Sequence, residues 1–134
     1  MKKFLLAVVA VFVAWEVLDF IIYTMVLAQQ YKDTASLWRP EGEMKMGLMI
    51  IVTLISSVAF CYLYDAFVKD KSMNNAVKFG LVFGIGAGIG MGYGTYSVQP
   101  ITYMIAFTWF LGTVIESTVA GFILGLILKG ETEG

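Results

Sequence analysis

The sequence predicts an all-α membrane protein in which four transmembrane helices form an antiparallel bundle. Three observations predict this: 59% of the 134 residues are apolar, the mean hydropathy is +0.80, and the apolar residues fall in long runs that are nearly free of charge. A soluble domain usually has roughly 45–50% apolar residues. Most of this surface must therefore face lipid or protein, and we expect a single domain over residues 1–134.

The spans are predicted at about residues 4–27, 46–64, 75–96 and 101–128. A secretory signal peptide is an alternative for the first, but its apolar run continues to Leu27, well past the roughly 7–15 residues of such signals. The last two spans share 37 uncharged residues, 79–115, whereas one crossing needs about 20. Pro100 divides them, because proline ends a helix. Apolar and polar residues do not alternate along these runs as they do in the strands of a membrane β-barrel, so we predict helices.

Basic residues near the span ends predict the orientation, because they are enriched on the cytoplasmic side. Three of them flank one side, namely Lys32, Arg39 and Lys45. Six flank the other, namely Lys2, Lys3, Lys69, Lys71, Lys78 and Lys129. We therefore expect both termini in the cytoplasm, with residues 28–45 as the one sizeable outer segment.

The composition disfavours most catalytic functions. The chain has no His, which removes the commonest metal ligand and the usual general base. Its single Cys, Cys61, allows no internal disulfide and lies in an apolar run. The net charge of −1 gives no positive electrostatic potential that would attract nucleic acid. We expect no enzymatic activity, no catalytic residue, no cofactor, no metal and no nucleic-acid partner.

Three acids inside the predicted spans form the main candidate site. Glu16 and Asp19 are three residues apart, so they share a helix face that Tyr23 continues. Glu116 lies in the fourth span. Glu16 and Glu116 are each 13 residues from a lysine on the cytoplasmic side, which places both about 20 Å along their helices. The two carboxyl groups are therefore expected at matching depth.

An ionised carboxyl at mid-bilayer costs roughly 2.5–3.5 kcal/mol, and no basic residue lies within a span to pair with these acids. Two alternatives follow. The acids are neutral and hydrogen-bond between helices, or they share a proton or bind a cation brought from outside. The candidate hydrogen-bond partners are Thr53, Ser56, Ser57, Thr113, Ser117 and Trp109.

A glycine ladder in the third span predicts tight helix packing. It forms two stripes with GxxxG spacing, and two residues turn a helix by about 200°, so the stripes lie on nearly opposite sides. We therefore expect this helix to approach neighbours closely on both sides. One stripe comprises Gly80, Gly84, Gly88 and Gly92, and the other Gly86, Gly90 and Gly94. The fourth span carries matching small residues, namely Gly112, Ser117, Gly121 and Gly125.

The outer segment carries residues typical of a membrane interface. Tyr31 and Trp38 suit that environment, as amphipathic rings do. Arg39 is the only arginine, and we expect it to anchor the segment, where a phosphate headgroup or a carboxylate is its natural partner.

Several short motifs are spread over most of the chain, namely Tyr31 to Arg39 with Met44, Phe79-Gly80 through Gly84, Tyr96 to Pro100-Ile101, Trp109-Phe110, and Gly121. In these motifs the chain resembles an uncharacterised family of small four-helix proteins of the bacterial inner membrane. The resemblance implies the same fold and location, and it implies no function and no site residues.

Two functions stay open. The first is a non-enzymatic packing or accessory module in the lipid bilayer, associating with itself as a homo-oligomer or with other proteins in a larger membrane complex. The glycine ladder, short loops and small size favour it. The alternative is a small proton- or cation-linked transporter that uses Glu16, Asp19 and Glu116. Four helices cannot readily enclose a transport path alone, so this alternative requires a dimer.

Overall fold

The computed structural model describes residues 2–128, and within that range it contains helices and no β-strand. A short helix, α2 (Ala28–Asp33), and two 3-10 turns, Ala35–Leu37 and Glu41–Glu43, precede the second long helix. Four helices are long and apolar enough to cross a membrane: α1 (Lys2–Val26), α3 (Met46–Phe67), α4 (Met73–Val98) and α5 (Tyr103–Ile127). The predicted all-α membrane fold with four spanning helices is confirmed.

Successive long helices run in opposite directions. We call the end that carries Lys2 and Leu128 the terminal end, and the end that carries residues 28–45 the cap end. Residues 68–72 join α3 to α4 at the terminal end, and residues 99–102, which include Pro100, join α4 to α5 at the cap end. Lys129, one of the lysines that predict the orientation, lies outside the described residues.

Side-chain caps begin the last two helices. The Ser72 hydroxyl accepts a hydrogen bond from the Asn75 backbone N–H at 3.1 Å. The Thr102 hydroxyl accepts one from the Ile105 N–H at 3.2 Å. Each cap satisfies an N–H group that has no partner within its own helix, so both helix starts are defined locally.

Helices α4 and α5 form the closest pair because glycines let their backbones approach. A Cβ on Gly84 would lie 2.8 Å from Val114 Cα, and one on Gly88 would lie 2.9 Å from the Phe110 carbonyl oxygen. Real Cβ atoms are essentially never closer than 3.0 Å to such atoms, so neither position accepts a side chain without a shift of the helices. Gly80, Gly92 and Gly121 face a backbone carbonyl oxygen of the partner helix in the same way, whereas Gly125 faces the Met73 side chain.

The second glycine stripe makes no such contact. No atom lies within 4 Å of a Cβ built on Gly86, Gly90 or Gly94. The expectation that α4 packs closely on both sides is therefore not met within residues 2–128. The reason is that α3 approaches α4 through aromatic rings and not through these glycines.

A core at the terminal end ties α1, α3 and α4 together through aromatic rings. Phe60 of α3 is its centre: the ring lies edge-on to Trp15 at 5.3 Å between centroids, and it contacts Phe79 at 5.0 Å and Phe83 at 5.1 Å. Such pairs stabilise a core by about 0.5–1.5 kcal/mol each beyond their burial. The first half of α3, residues 46–56, contains no buried residue.

A second, smaller core at the cap end contains Leu27, Ile101, Ile105 and Ala106. Among the described residues, those packed against this core lie in α1, α2 and α5 or, in the case of Trp38, just after the turn Ala35–Leu37. None lies in α3. Helix α3 is therefore held at the terminal end only, and space remains beside its first half.

Replacing Gly84 with alanine is expected to lower the thermal unfolding midpoint in detergent, because the new methyl group would overlap the α5 backbone at Val114. Overpacking of this kind costs roughly 1–3 kcal/mol. Gly86→Ala is the matched control, since open space surrounds that Cβ and alanine is the better helix former by about 0.5–1 kcal/mol. Circular dichroism melts measure both. Equal midpoints for the two variants would contradict the packing described.

Candidate functional site

A cavity of about 220 Å³ lies beside the first half of α3 and is lined by all four long helices. Two carboxyl groups reach it, Asp19 from α1 and Glu116 from α5. No lysine or arginine is among its lining residues in the described part of the chain. Trp15 borders it toward the terminal end, and Trp109 borders it toward the cap end.

Helical spacing explains why these residues share the cavity. Trp15, Asp19 and Tyr23 follow one another at intervals of four residues, so they form one face of α1. On α5, Trp109 and Glu116 are seven residues apart, which is about two turns, and they also share a face. The two faces meet across the cavity.

Helices α1 and α5 are locked at this level by two contacts. The Trp15 indole Nε1–H donates a hydrogen bond to the backbone carbonyl oxygen of Glu116 at 2.8 Å. One turn farther toward the cap end, Ile22 packs against Gly112. A Cβ added to Gly112 would lie 2.9 Å from Ile22 Cδ1. These contacts place Glu116 beside the α1 face that carries Asp19.

Asp19 and Glu116 line the same cavity from facing helices, so their charges act on each other. Two ionised carboxylates that share a small cavity repel each other. A proton on one of them or a cation beside the pair would relieve that repulsion.

Glu16 is separate from this pair. It does not line the cavity, and its Oε2 atom is enclosed without a hydrogen-bond partner among the described residues. It follows Trp15 by one residue, which turns it by about 100° from the lining face. Glu16, Asp19 and Glu116 are each partly exposed, and no acidic residue whose side chain the structure describes is buried. The structure thus brings Asp19, Glu116 and Tyr23 together, without Glu16.

The polar groups predicted as partners of the acids mostly reach the same cavity. Five of the six line it, namely Thr53, Ser56, Thr113, Ser117 and Trp109. The sixth, Ser57, is fully buried in α3 and donates to the Thr53 carbonyl oxygen at 2.8 Å.

The hydrogen bonds of these groups do not go to the carboxyls. Thr53 donates to the Met49 carbonyl oxygen at 3.1 Å, and Thr113 donates to the Trp109 carbonyl oxygen at 2.8 Å. Ser117 is only 3% exposed, yet its hydroxyl has no hydrogen bond among the described residues. Thr53, Thr113 and Trp109 therefore do not hold the acids through hydrogen bonds.

Two π-helical segments border the cavity. One is Ile22–Val26 in α1, which begins three residues after Asp19, and the other is Gly90–Gly94 in α4. Ile22, Tyr23 and Met91 from these segments line the cavity. A π turn holds more residues than an α turn and is frequent at functional sites. The sequence carries no signal that predicts the segment in α1.

An aromatic cluster closes the cap side. The Trp109 indole Nε1–H donates to the Tyr31 hydroxyl at 2.8 Å, and the Trp38 ring packs between Tyr31 (5.3 Å) and Trp109 (6.0 Å). Tyr31 and Trp38 are both partly buried in these contacts, whereas Arg39 is exposed. Two of the three predicted interface residues thus hold the outer segment against α5.

No family model, curated protein or solved structure matches this chain. The resemblance to small proteins of the bacterial inner membrane therefore stays a prediction, and the function must be inferred from the chemistry of the cavity.

Burial raises the pKa of Tyr31, in the segment between the first two spans, to about 12, compared with about 10 for an exposed tyrosine. The unfolded chain loses this proton near pH 10 and the folded chain only near pH 12. The resulting stabilisation is complete below about pH 10 and is lost as the pH rises to about 12. We expect the unfolding midpoint in detergent to fall more steeply over this range in the wild type than in Tyr31→Phe.

The matched control for that titration is Tyr62→Phe, because Tyr62 is exposed and makes no hydrogen bond among the described residues. It should keep the wild-type slope. If the slope is the same in Tyr31→Phe as in the wild type, Tyr31 is not enclosed by the aromatic cluster.

Proposed function

We propose that the protein is a small, non-enzymatic membrane carrier that exchanges protons for a cation at the Asp19–Glu116 pair. The observation that supports this is that two carboxyl groups from facing helices share a cavity that has no basic lining residue among those described. Of the two functions that the sequence leaves open, the carrier is favoured, because the polar side chains around the pair direct their hydrogen bonds elsewhere.

The exchange follows from charge balance. With both carboxyls protonated the pair is neutral, and loss of one proton leaves one negative charge. A monovalent cation that binds there restores neutrality, so one cation replaces one proton. The site then carries no net charge in either state, which avoids the roughly 2.5–3.5 kcal/mol cost of an isolated charge at mid-bilayer.

A packing or accessory role is the second candidate, and the second glycine stripe favours it. Gly86, Gly90 and Gly94 have no neighbour within 4 Å, and each glycine in a helix interior costs about 0.5–1 kcal/mol relative to alanine. Close contact with another helix would offset this cost. Such a contact would make a homo-oligomer or a larger membrane complex, and a dimer would also supply the helices that a carrier needs.

The location proposed for the protein is the bacterial inner membrane, with both termini in the cytoplasm. The excess of lysine flanking the terminal end supports this orientation. The cap end would then face outward, and the cavity would lie in the outer half of the bundle.

Purified protein in vesicles with an internal pH dye tests the carrier. Sodium, potassium or tetraethylammonium is added outside, and at least one of them should make the interior more alkaline than in empty vesicles. Glu116→Gln and Asp19→Asn should abolish the signal. Asp65→Asn is the matched control, because Asp65 is exposed near the terminal end of α3 and does not line the cavity. The proposal fails if no cation moves protons faster than in empty vesicles.

Gly90→Leu tests the second glycine stripe. A leucine there has room within the chain, so the unfolding midpoint should stay near that of the wild type. Energy transfer between labelled copies in a bilayer should fall, because the side chain would block helix contact on that face. Phe122→Leu, an exposed change on α5, should leave the transfer unchanged. Unchanged transfer in Gly90→Leu would exclude this face as the contact.

A further inference from the structure

We infer that the cavity binds small organic ammonium ions, and binds those with an N–H group more tightly, against the Asp19–Glu116 pair and the aromatic walls. This names the substrate class of the carrier and therefore rests on the proposed function. The inference uses observations beyond the acid pair itself: the aromatic lining, an unpartnered buried hydroxyl and the size of the cavity.

Aromatic rings supply much of the cavity wall. They come from three helices: Trp15 and Tyr23 from α1, Phe83 from α4 and Trp109 from α5. The face of an aromatic ring attracts a cation, and sites that recognise organic ammonium ions are lined by such rings. Aromatic walls around a carboxyl pair therefore fit a cation that has an apolar surface.

The two indoles lie on opposite sides of the acids along the bundle. Trp15 precedes Asp19 by four residues, one turn toward the terminal end. Trp109 precedes Glu116 by seven residues, about two turns toward the cap end. A ligand whose charge sits at the carboxyls would thus have apolar and aromatic surface in both directions.

Ser117 supplies a second, independent indication of a ligand. It lines the cavity, it is 3% exposed, and its hydroxyl has no hydrogen-bond partner in the part of the chain that the structure describes. The residue is buried, and its hydroxyl is free to accept a hydrogen bond from a group in the cavity. An ammonium N–H would satisfy it as a donor, which a quaternary ammonium cannot do.

An inorganic ion fits less well. Hard cations take several oxygen ligands, about six to eight in the case of calcium, and the described residues contain no group of three or more His, Cys, Asp or Glu that could hold a metal. Apolar side chains such as Ile22 and Val52 occupy much of the remaining wall.

The volume of the cavity fits a small organic cation. At about 220 Å³, the cavity is below the roughly 300–1,000 Å³ of sites for drug-sized ligands. The titratable groups that line it are Asp19 and Tyr23 on α1 and Glu116 on α5, and α3 and α4 contribute none among their lining residues. Competition between the ligand and protons would therefore take place at the acid pair.

Tryptophan fluorescence of the full chain in detergent tests the inference with diethylammonium chloride as the probe. Since two of the three tryptophans line the cavity, binding should change the emission in a saturable way. Glu116→Gln should weaken binding by more than about tenfold, as loss of a charge partner does. Phe83→Leu should weaken it by about threefold or more. Asp65→Asn and Phe122→Leu, which lie outside the cavity, should bind as the wild type does.

Ser117→Ala gives the sharpest comparison, because two ligands are measured on one variant and a folding defect would affect both. Binding of diethylammonium should weaken by about fivefold, as expected for the loss of one hydrogen bond, while binding of tetraethylammonium, which has no N–H, should not change. Equal weakening of both ligands would overturn the role of Ser117 and the preference for an N–H group.

The outcomes separate this inference from the proposed function. If sodium or potassium drives proton movement in vesicles and neither ammonium ion binds, the carrier stands and the organic substrate class is wrong. If no cation binds in detergent and none moves protons in vesicles, both are wrong. Wild-type binding of diethylammonium by Glu116→Gln would also overturn the inference, because the charge would then lie elsewhere.

Discussion

The close approach of the α4 and α5 backbones is the constraint on which the rest of the structure depends. Within a bilayer there is little hydrophobic force to drive helices together, so van der Waals packing and polar contacts must hold them. Glycines such as Gly84 and Gly88 provide this, because their missing side chains let one helix lie against the other's backbone. The resulting pair is a rigid surface on which the other two long helices are arranged.

Helix α1 and helix α3 use that surface differently. Helix α1 is fixed to α5 at two levels. Trp15 donates a hydrogen bond to the Glu116 carbonyl oxygen, and Ile22 packs against Gly112. Helix α3 is held mainly around Phe60, at the terminal end, and its first half has no buried residue. The cavity exists because of this difference. It opens where α3 is least packed, and it collects the polar groups that the spans carry.

The sequence predicts the number and type of elements because hydropathy over about 20 residues is a local property, and Pro100 marks the break between the last two spans. The face shared by Asp19 and Tyr23 follows from their spacing. The rotation of each helix about its axis does not, since it depends on contacts between helices, and Glu16 therefore lies off the cavity although it is three residues from Asp19. A tyrosine such as Tyr31 is equally compatible with a lipid interface and with a protein contact, so the sequence does not distinguish the two. The hydrogen bond from Trp109 shows that Tyr31 packs against the protein.

The central claim is that the Asp19–Glu116 pair exchanges its proton with the solution. Infrared difference spectroscopy from about pH 5 to about pH 9, a window above the reference values of carboxyl groups, measures this directly, and Glu116→Gln assigns the bands. The account predicts a carboxyl band that changes with pH in the wild type and is lost in Glu116→Gln. Carboxyl bands that stay constant over the whole range would contradict it, because the acids would then be fixed structural groups.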